Sequence, residues 1–164
     1  MKRAAYTSAA MHVRSYAELE PFVSLDGSEI REWAGRVSAP AQNQSLAEAI
    51  LPVAGATTEH YHRTSEELYL ITSGQGRLVI DGEERIVGGG DCALIPPGAR
   101  HKLFNTGAEP LKLLCACAPA YSEADTVLTE PASPKIGVSI STRLPAPSSR
   151  GWPGPCSPGR TCSP

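Results

Sequence analysis

No stripe of lysine and arginine interleaved with aromatic residues runs through this chain, so the sequence footprint of a nucleic-acid surface is missing. The net charge of −2 over 164 residues hides an asymmetry. Residues 1–130 hold 11 of the 15 basic residues and all 17 acidic ones, so this body stands at −6, while the last 34 residues carry four basic residues and no acidic one. A body this acidic is repelled by phosphate backbones, which excludes nucleic acid as a partner. No apolar run approaches the roughly 20 residues of a membrane span, so no membrane partner is expected. The opening MKRAAYTSAAMHV is basic, but no apolar stretch of signal-peptide length follows it. The five cysteines are an odd number, and Cys92, Cys115 and Cys117 fall inside apolar segments. That pattern predicts reduced, buried thiols in a cytoplasmic protein rather than a disulfide framework. Also missing are an internal repeat and, between residues 30 and 117, any convincing helical period.

What is present is a series of short apolar segments broken by turn signals. NQSLAEAILPV (43–53) alternates and stops at Pro52 and Gly55. ELYLITSG (67–74) places Leu68 and Leu70 on one face and Glu67, Tyr69 and Ile71 on the other. GRLVIDGEERIV (76–87) is two runs around Asp81-Gly82, a hairpin signal because a type I′ turn needs positive φ at both central residues. CALIPPG (92–98) reads as a buried strand ended by prolines, and LKLLCACA (111–118) as a strand apolar on both faces. Strands at about ten-residue spacing indicate an all-β sandwich or barrel. One short helix is expected at SYAELE (15–20), with Ser15 as its cap. The expected organisation is a leader over 1–19, a barrel domain over 20–118 and an extension over 119–164. From about Ala132 the composition turns rich in Pro, Ser and Gly and predicts a disordered tail, apart from KIGVSIS (135–141) as an edge strand. Cys156 and Cys162 belong to that tail.

Histidine is scarce, with four in the chain, yet three of them fall in two short stretches. His60 and His62 are two apart and share a face of any strand, and Glu66 and Glu67 follow shortly after. A hairpin-like return after RTSE would set Glu67 opposite them, with Cβ atoms about 5 Å apart. His101 follows a Pro-Pro-Gly turn on a distant segment, with Asn105 four residues on. Three imidazoles and one carboxylate suit Mn, Fe, Co, Ni, Cu or Zn.

These two stretches resemble the paired motifs of the cupin superfamily. Its first pattern is matched by His60-Tyr61-His62, four residues, Glu67, six residues, Gly74; the opening glycine departs, since four residues rather than five separate Gly55 from His60. Its second is matched by Gly90, Pro96, Gly98, His101 and Asn105 at every spacing. The resemblance implies a double-stranded β-helix (jelly-roll) barrel of the small single-domain, mannose-6-phosphate-isomerase-like type. It also implies one divalent transition metal ion per chain on His60, His62, Glu67 and His101. Glu66 competes for the carboxylate role, and the six-residue spacing to Gly74 favours Glu67. Gly74, Gly90 and Gly98 are read as turn residues, Asn105 as a structural strand-end residue and His12 as solvated.

Tyr69, on the face of Glu67, stands equally as a hydroxyl beside the metal ligands, a general acid, or a core tyrosine. Cys115 and Cys117 share a face and either pack or line a cavity. Leu94, Leu103, Phe104 and Leu113 are candidates for an apolar lining, and Gln44 for a residue that orients a ligand. Four ligands on an ion that prefers five or six leave open positions, the mark of a catalytic site. The expected function is therefore a metalloenzyme acting on a small organic molecule through oxygenase, isomerase or lyase chemistry. The alternative is a binding or sensing module without turnover. A sugar-phosphate substrate is disfavoured, because only Arg63, Arg100 and Lys102 lie near the motifs. A homodimer is expected, since small barrels of this family pair or exchange edge strands.

Overall fold

A computed structural model describes residues 11–36, 38 and 41–131. The edge strand expected at 135–141, together with Cys156 and Cys162, lies outside the described residues. The strands are β1 (Phe22–Val23), β2 (Glu29–Ala34), β3 (Ser45–Leu51), β4 (His60–His62), β5 (Glu66–Ser73), β6 (Gln75–Ile80), β7 (Glu83–Gly88), β8 (Cys92–Ile95), β9 (His101–Asn105), β10 (Leu111–Ala118) and β11 (Thr126–Leu128). They form two antiparallel sheets, one of six strands in the order β1-β2-β3-β10-β5-β8 and one of five in the order β11-β4-β9-β6-β7. This is the all-β jelly roll that the strand spacing and the motifs led us to expect. Residues 119–131, beyond the expected barrel limit, supply β11, which pairs with β4.

The two sheets bury their facing sides against each other. Leu51, Tyr69, Ile71, Leu78, Ile95, Leu103, Leu111 and Leu113 form one core cluster drawn from both sheets. Burying each leucine or isoleucine contributes about 1.5–3 kcal/mol. In β5 the alternation is strict: Glu67, Tyr69 and Ile71 are buried while Glu66, Leu68 and Leu70 are exposed. The β6–β7 hairpin turns at Asp81 and Gly82 with φ of 47° and 86°, both positive as a type I′ turn requires. Asn105 is buried and closes the end of the barrel. Its amide nitrogen faces the carbonyls of Leu51, Pro52 and Glu109 at 2.8–3.1 Å, and its oxygen accepts from the Gly107 N–H.

Several expectations need correction. The segment at 15–20 makes only a three-residue 3-10 turn, Tyr16–Glu18, whose Glu18 carboxylate accepts from the Ser15 N–H. Pro21 disfavours helical backbone at the residue before it, so the turn goes no further. β8 is not a buried strand. It is the outermost strand beside β5, covered on its inner face alone, so Cys92 is exposed and Leu94 is 56% exposed. Gln44 is exposed and precedes β3, and the buried polar residue next to it is Ser45. Phe104 points away from the interior, where the Arg77 guanidinium lies 4.0 Å from its ring centre. Leu103 and Leu113 do point inward, as expected.

Candidate metal centre

The three histidines converge through strand register. His60 of β4 is the cross-strand partner of His101 of β9, and His62 lies two residues along β4 on the same face. Glu67 does not return on the strand next to β4, as a simple hairpin would have it. Residues 63–65 carry the chain across to the other sheet, so Glu67 faces the imidazoles from β5. Asp125 fixes that crossing, accepting from the Thr64 N–H and hydroxyl and from the Ser65 N–H at 2.7–3.0 Å. Burial works against the charge on Asp125, but these hydrogen bonds hold its carboxyl below the usual range. Gly98, with φ 84°, turns the chain into β9 and donates its N–H to the His62 carbonyl at 2.7 Å. A side chain there would be strained in that left-handed conformation.

All four side chains are buried, with exposures of 3% for His60 and His62, 5% for Glu67 and 1% for His101. One ligand atom from each lies within 4.8 Å of the others. Glu66, the competing carboxylate, is exposed. The tautomers follow from what the outer nitrogens meet. His60 Nδ1 sits 2.8 Å from the Thr58 carbonyl and His101 Nδ1 3.0 Å from the Ala99 carbonyl. A carbonyl only accepts, so each Nδ1 carries a hydrogen and the neutral ring presents an Nε2 lone pair to the interior. The Thr126 hydroxyl donates to the Ser122 carbonyl, which leaves it to accept from His62 Nδ1 at 3.1 Å. Metal-binding imidazoles are held by outer-nitrogen partners of this kind.

Inside the ring of donors, His62 Nε2 lies 3.0 Å from Glu67 Oε2. His101 Nε2 is 3.3 Å from the same oxygen but too poorly aligned for a hydrogen bond, and is a buried polar atom without a partner. A buried nitrogen left without a bond is costly. An ion among four inward-facing donors would remove that cost, so the residues fit a metal. The electrostatics agree with a shared cation. Burial acts to raise the Glu67 carboxyl, yet His101 and His62 hold it at about 2. Burial lowers His101 and the Glu67 carboxylate more than reverses this, leaving it above 6.5. Burial and the neighbouring His101 lower His60.

A cavity opens onto His60 and Glu67, and Tyr69, Leu51, Leu103, Leu113, Cys115 and Cys117 line it. Both cysteines therefore line the cavity as well as pack. The Cys117 thiol donates to Glu67 Oε1 at 3.3 Å, and burial followed by the charge of Glu67 pushes it well above the usual thiol range. Tyr69 meets the His101 ring edge-on at 5.7 Å between centroids, and burial and Glu67 push its phenol well above 10. The sequence reading missed four contributors: Thr126, Tyr121, Asp26 and Ser28. Tyr121 packs edge-on against His62 at 5.9 Å, and burial raises its phenol to about 12. Asp26-Gly27 was available as a turn signal between β1 and β2, but no local pattern says which way that turn faces.

The family model described as the cupin domain matches residues 47–117. An uncharacterised protein of Methanocaldococcus jannaschii is 44% identical over 115 residues, covering 70% of this chain and 92% of that one. Among solved structures, a nucleoside dehydratase of Streptomyces is 20% identical with a TM-score of 0.62 and covers 76% of this chain and 95% of its own. An oxalate decarboxylase of Lactobacillus farciminis is 24% identical with a TM-score of 0.60, over 69% of this chain and 34% of its own. At these identities the solved structures support the fold.

Proposed function

The chain belongs to the cupin family, and we propose that it is a metalloenzyme acting on a small organic molecule at His60, His62, Glu67 and His101. The observation that carries this is the set of four buried donor atoms within 4.8 Å, three of them imidazole nitrogens whose outer partners aim Nε2 inward. One divalent ion, Mn, Fe, Co, Ni, Cu or Zn, would be held there. When bound, it would polarise a substrate oxygen as a Lewis acid and lower the pKa of a coordinated water.

The remaining work falls to the chain's own side chains. Leu51, Leu103 and Leu113 line the cavity with apolar surface, which excludes water and strengthens every charge inside. Tyr69 keeps its phenolic proton across the neutral range and can donate it to a substrate oxygen, which suits isomerase or lyase chemistry. None of Arg63, Arg100 and Lys102 lines the cavity. Arg63 donates to the Ala124 carbonyl and Lys102 pairs with Glu130, which argues against a sugar phosphate.

The partner reading is a homodimer in the cytoplasm. Its support is an apolar row across the outer face of the six-stranded sheet, where Leu46, Ala116, Leu68 and Leu94 are successive cross-strand partners. Leu46 is 39% exposed, Leu68 41% and Leu94 56%. Contiguous exposed apolar surface of this kind marks interaction sites. Sedimentation of Leu68→Asp checks this: a shift from dimer to monomer supports the outer-face interface, and an unshifted dimer rejects it.

The functional test is to load the protein with each ion in turn and follow libraries of neutral polyols, amino alcohols and carbonyl compounds by NMR. Conversion that is lost in His101→Ala supports the enzyme. Binding without conversion makes the protein a sensing module instead.

A further inference from the structure

The cavity has a second wall that neither motif supplies. It is built by β1, the turn at 24–28 and β2, whose Phe22, Ser24, Asp26, Ser28, Ile30 and Glu32 line the same space as His60 and Glu67. At its centre Asp26 is 8% exposed, and the Ser24 hydroxyl, the Ser28 hydroxyl and the Ser28 N–H all donate to its Oδ1. The turn is tied to the metal centre, because the Asp26 carbonyl accepts from the Thr58 N–H at 2.7 Å, two residues before His60. A carboxylate offers about four acceptor positions over two oxygens, and these three donors meet one of them. The same carboxylate lines the cavity.

The charge count points the same way. The described lining residues include three carboxylates, Asp26, Glu32 and Glu67, and neither lysine nor arginine. Even a divalent ion leaves a cavity with three carboxylates net negative.

We propose that this cavity takes a neutral or cationic small molecule bearing a hydroxyl or amino group, that Asp26 receives a hydrogen bond from that group, and that dicarboxylates and phosphate esters are turned away. The inference names the substrate class of the proposed enzyme, and it rests on that reading only for the position of the ion. The asymmetry matters for likeness to known folds: a barrel shared with an oxalate decarboxylase carries here a wall that repels a dianion.

The test uses cobalt-loaded protein, whose visible absorption reports ligands reaching the ion, titrated with ethanolamine and with oxalate. Asp26→Asn keeps Oδ1 as an acceptor for Ser24 and Ser28, removes the charge and puts an NH2 donor in place of the second carboxylate oxygen. The wild type should bind ethanolamine more tightly than oxalate. The variant should bind ethanolamine about tenfold more weakly and oxalate about tenfold more tightly. Tighter binding of oxalate than of ethanolamine by the wild type overturns the proposal, as does a variant that leaves both affinities unchanged. Should cobalt itself fail to bind, the metal reading fails separately. Calorimetry of the same two ligands on the metal-free protein then decides the Asp26 wall alone, by the same reversal of preference.

Discussion

The two walls of the cavity are held in place by different physics. On the motif wall, His60, His62, Glu67 and His101 project from strands whose register is fixed by backbone ladders, and backbone carbonyls or a threonine hydroxyl orient each imidazole. On the second wall, Asp26 stands in a turn next to a two-residue strand and is oriented by two serine side chains. The first wall is built to keep donor atoms near one point, as an ion requires. The second joins the barrel through the ladder of β2 on β3 and through the Thr58 N–H on the Asp26 carbonyl, and it contributes none of the four converging donor atoms. Substitutions on the two walls should therefore separate ion binding from ligand preference.

The largest effect is expected from His101→Ala. It removes one of four donors, and the ion retained after dialysis should fall from about one per chain to near zero by elemental analysis. In the core that lines the cavity, Leu113→Ala should cost about 2–5 kcal/mol of unfolding free energy in urea titration, through lost burial and enlarged empty space. Thr126→Val leaves His62 Nδ1 without its acceptor and should weaken metal binding about 10–100-fold, measured by competition with a chelator, while the far-ultraviolet dichroism stays unchanged.

The pH dependence sharpens the contrast. The His101 imidazole lies above 6.5 in the metal-free fold because of Glu67, so its pairing contributes stability below the unfolded imidazole value and loses it as pH rises through the folded value. Metal affinity runs the other way, because the proton on Nε2 must leave first. Calorimetry should show affinity falling as pH drops from 8 to 6, with proton release on binding. An affinity that does not change between those values contradicts imidazole ligation. The smallest effect belongs to the second wall: Asp26→Asn should still retain about one ion per chain after dialysis, because Asp26 is not one of the four converging donors.

The same contrast explains what the sequence made legible. Spacing within a strand sets which side chains share a face, so His60 could be paired with His62 and Glu67 with Tyr69 from residue numbers, while joining the two pairs rested on the family resemblance. The glycines at 74, 90 and 98 and the Asp81-Gly82 hairpin were legible because positive φ selects residue types. Two things were not. The crossing at 63–65 depends on Asp125, some sixty residues on, and no local pattern reports a partner at that distance. The exposure of Cys92 and Leu94 depends on β8 lying at the end of its sheet, which is a property of strand order rather than of the segment. Asp26 combined both difficulties, since its turn was readable but its direction was set by a contact with Thr58.

The first measurement to make is elemental analysis of wild-type protein purified without a histidine tag or added metal, beside His101→Ala prepared identically. About one transition-metal ion per chain in the wild type, absent from the variant, is the expected result. A wild type that is empty as purified and still takes up none of Mn, Fe, Co, Ni, Cu or Zn would contradict the metal centre.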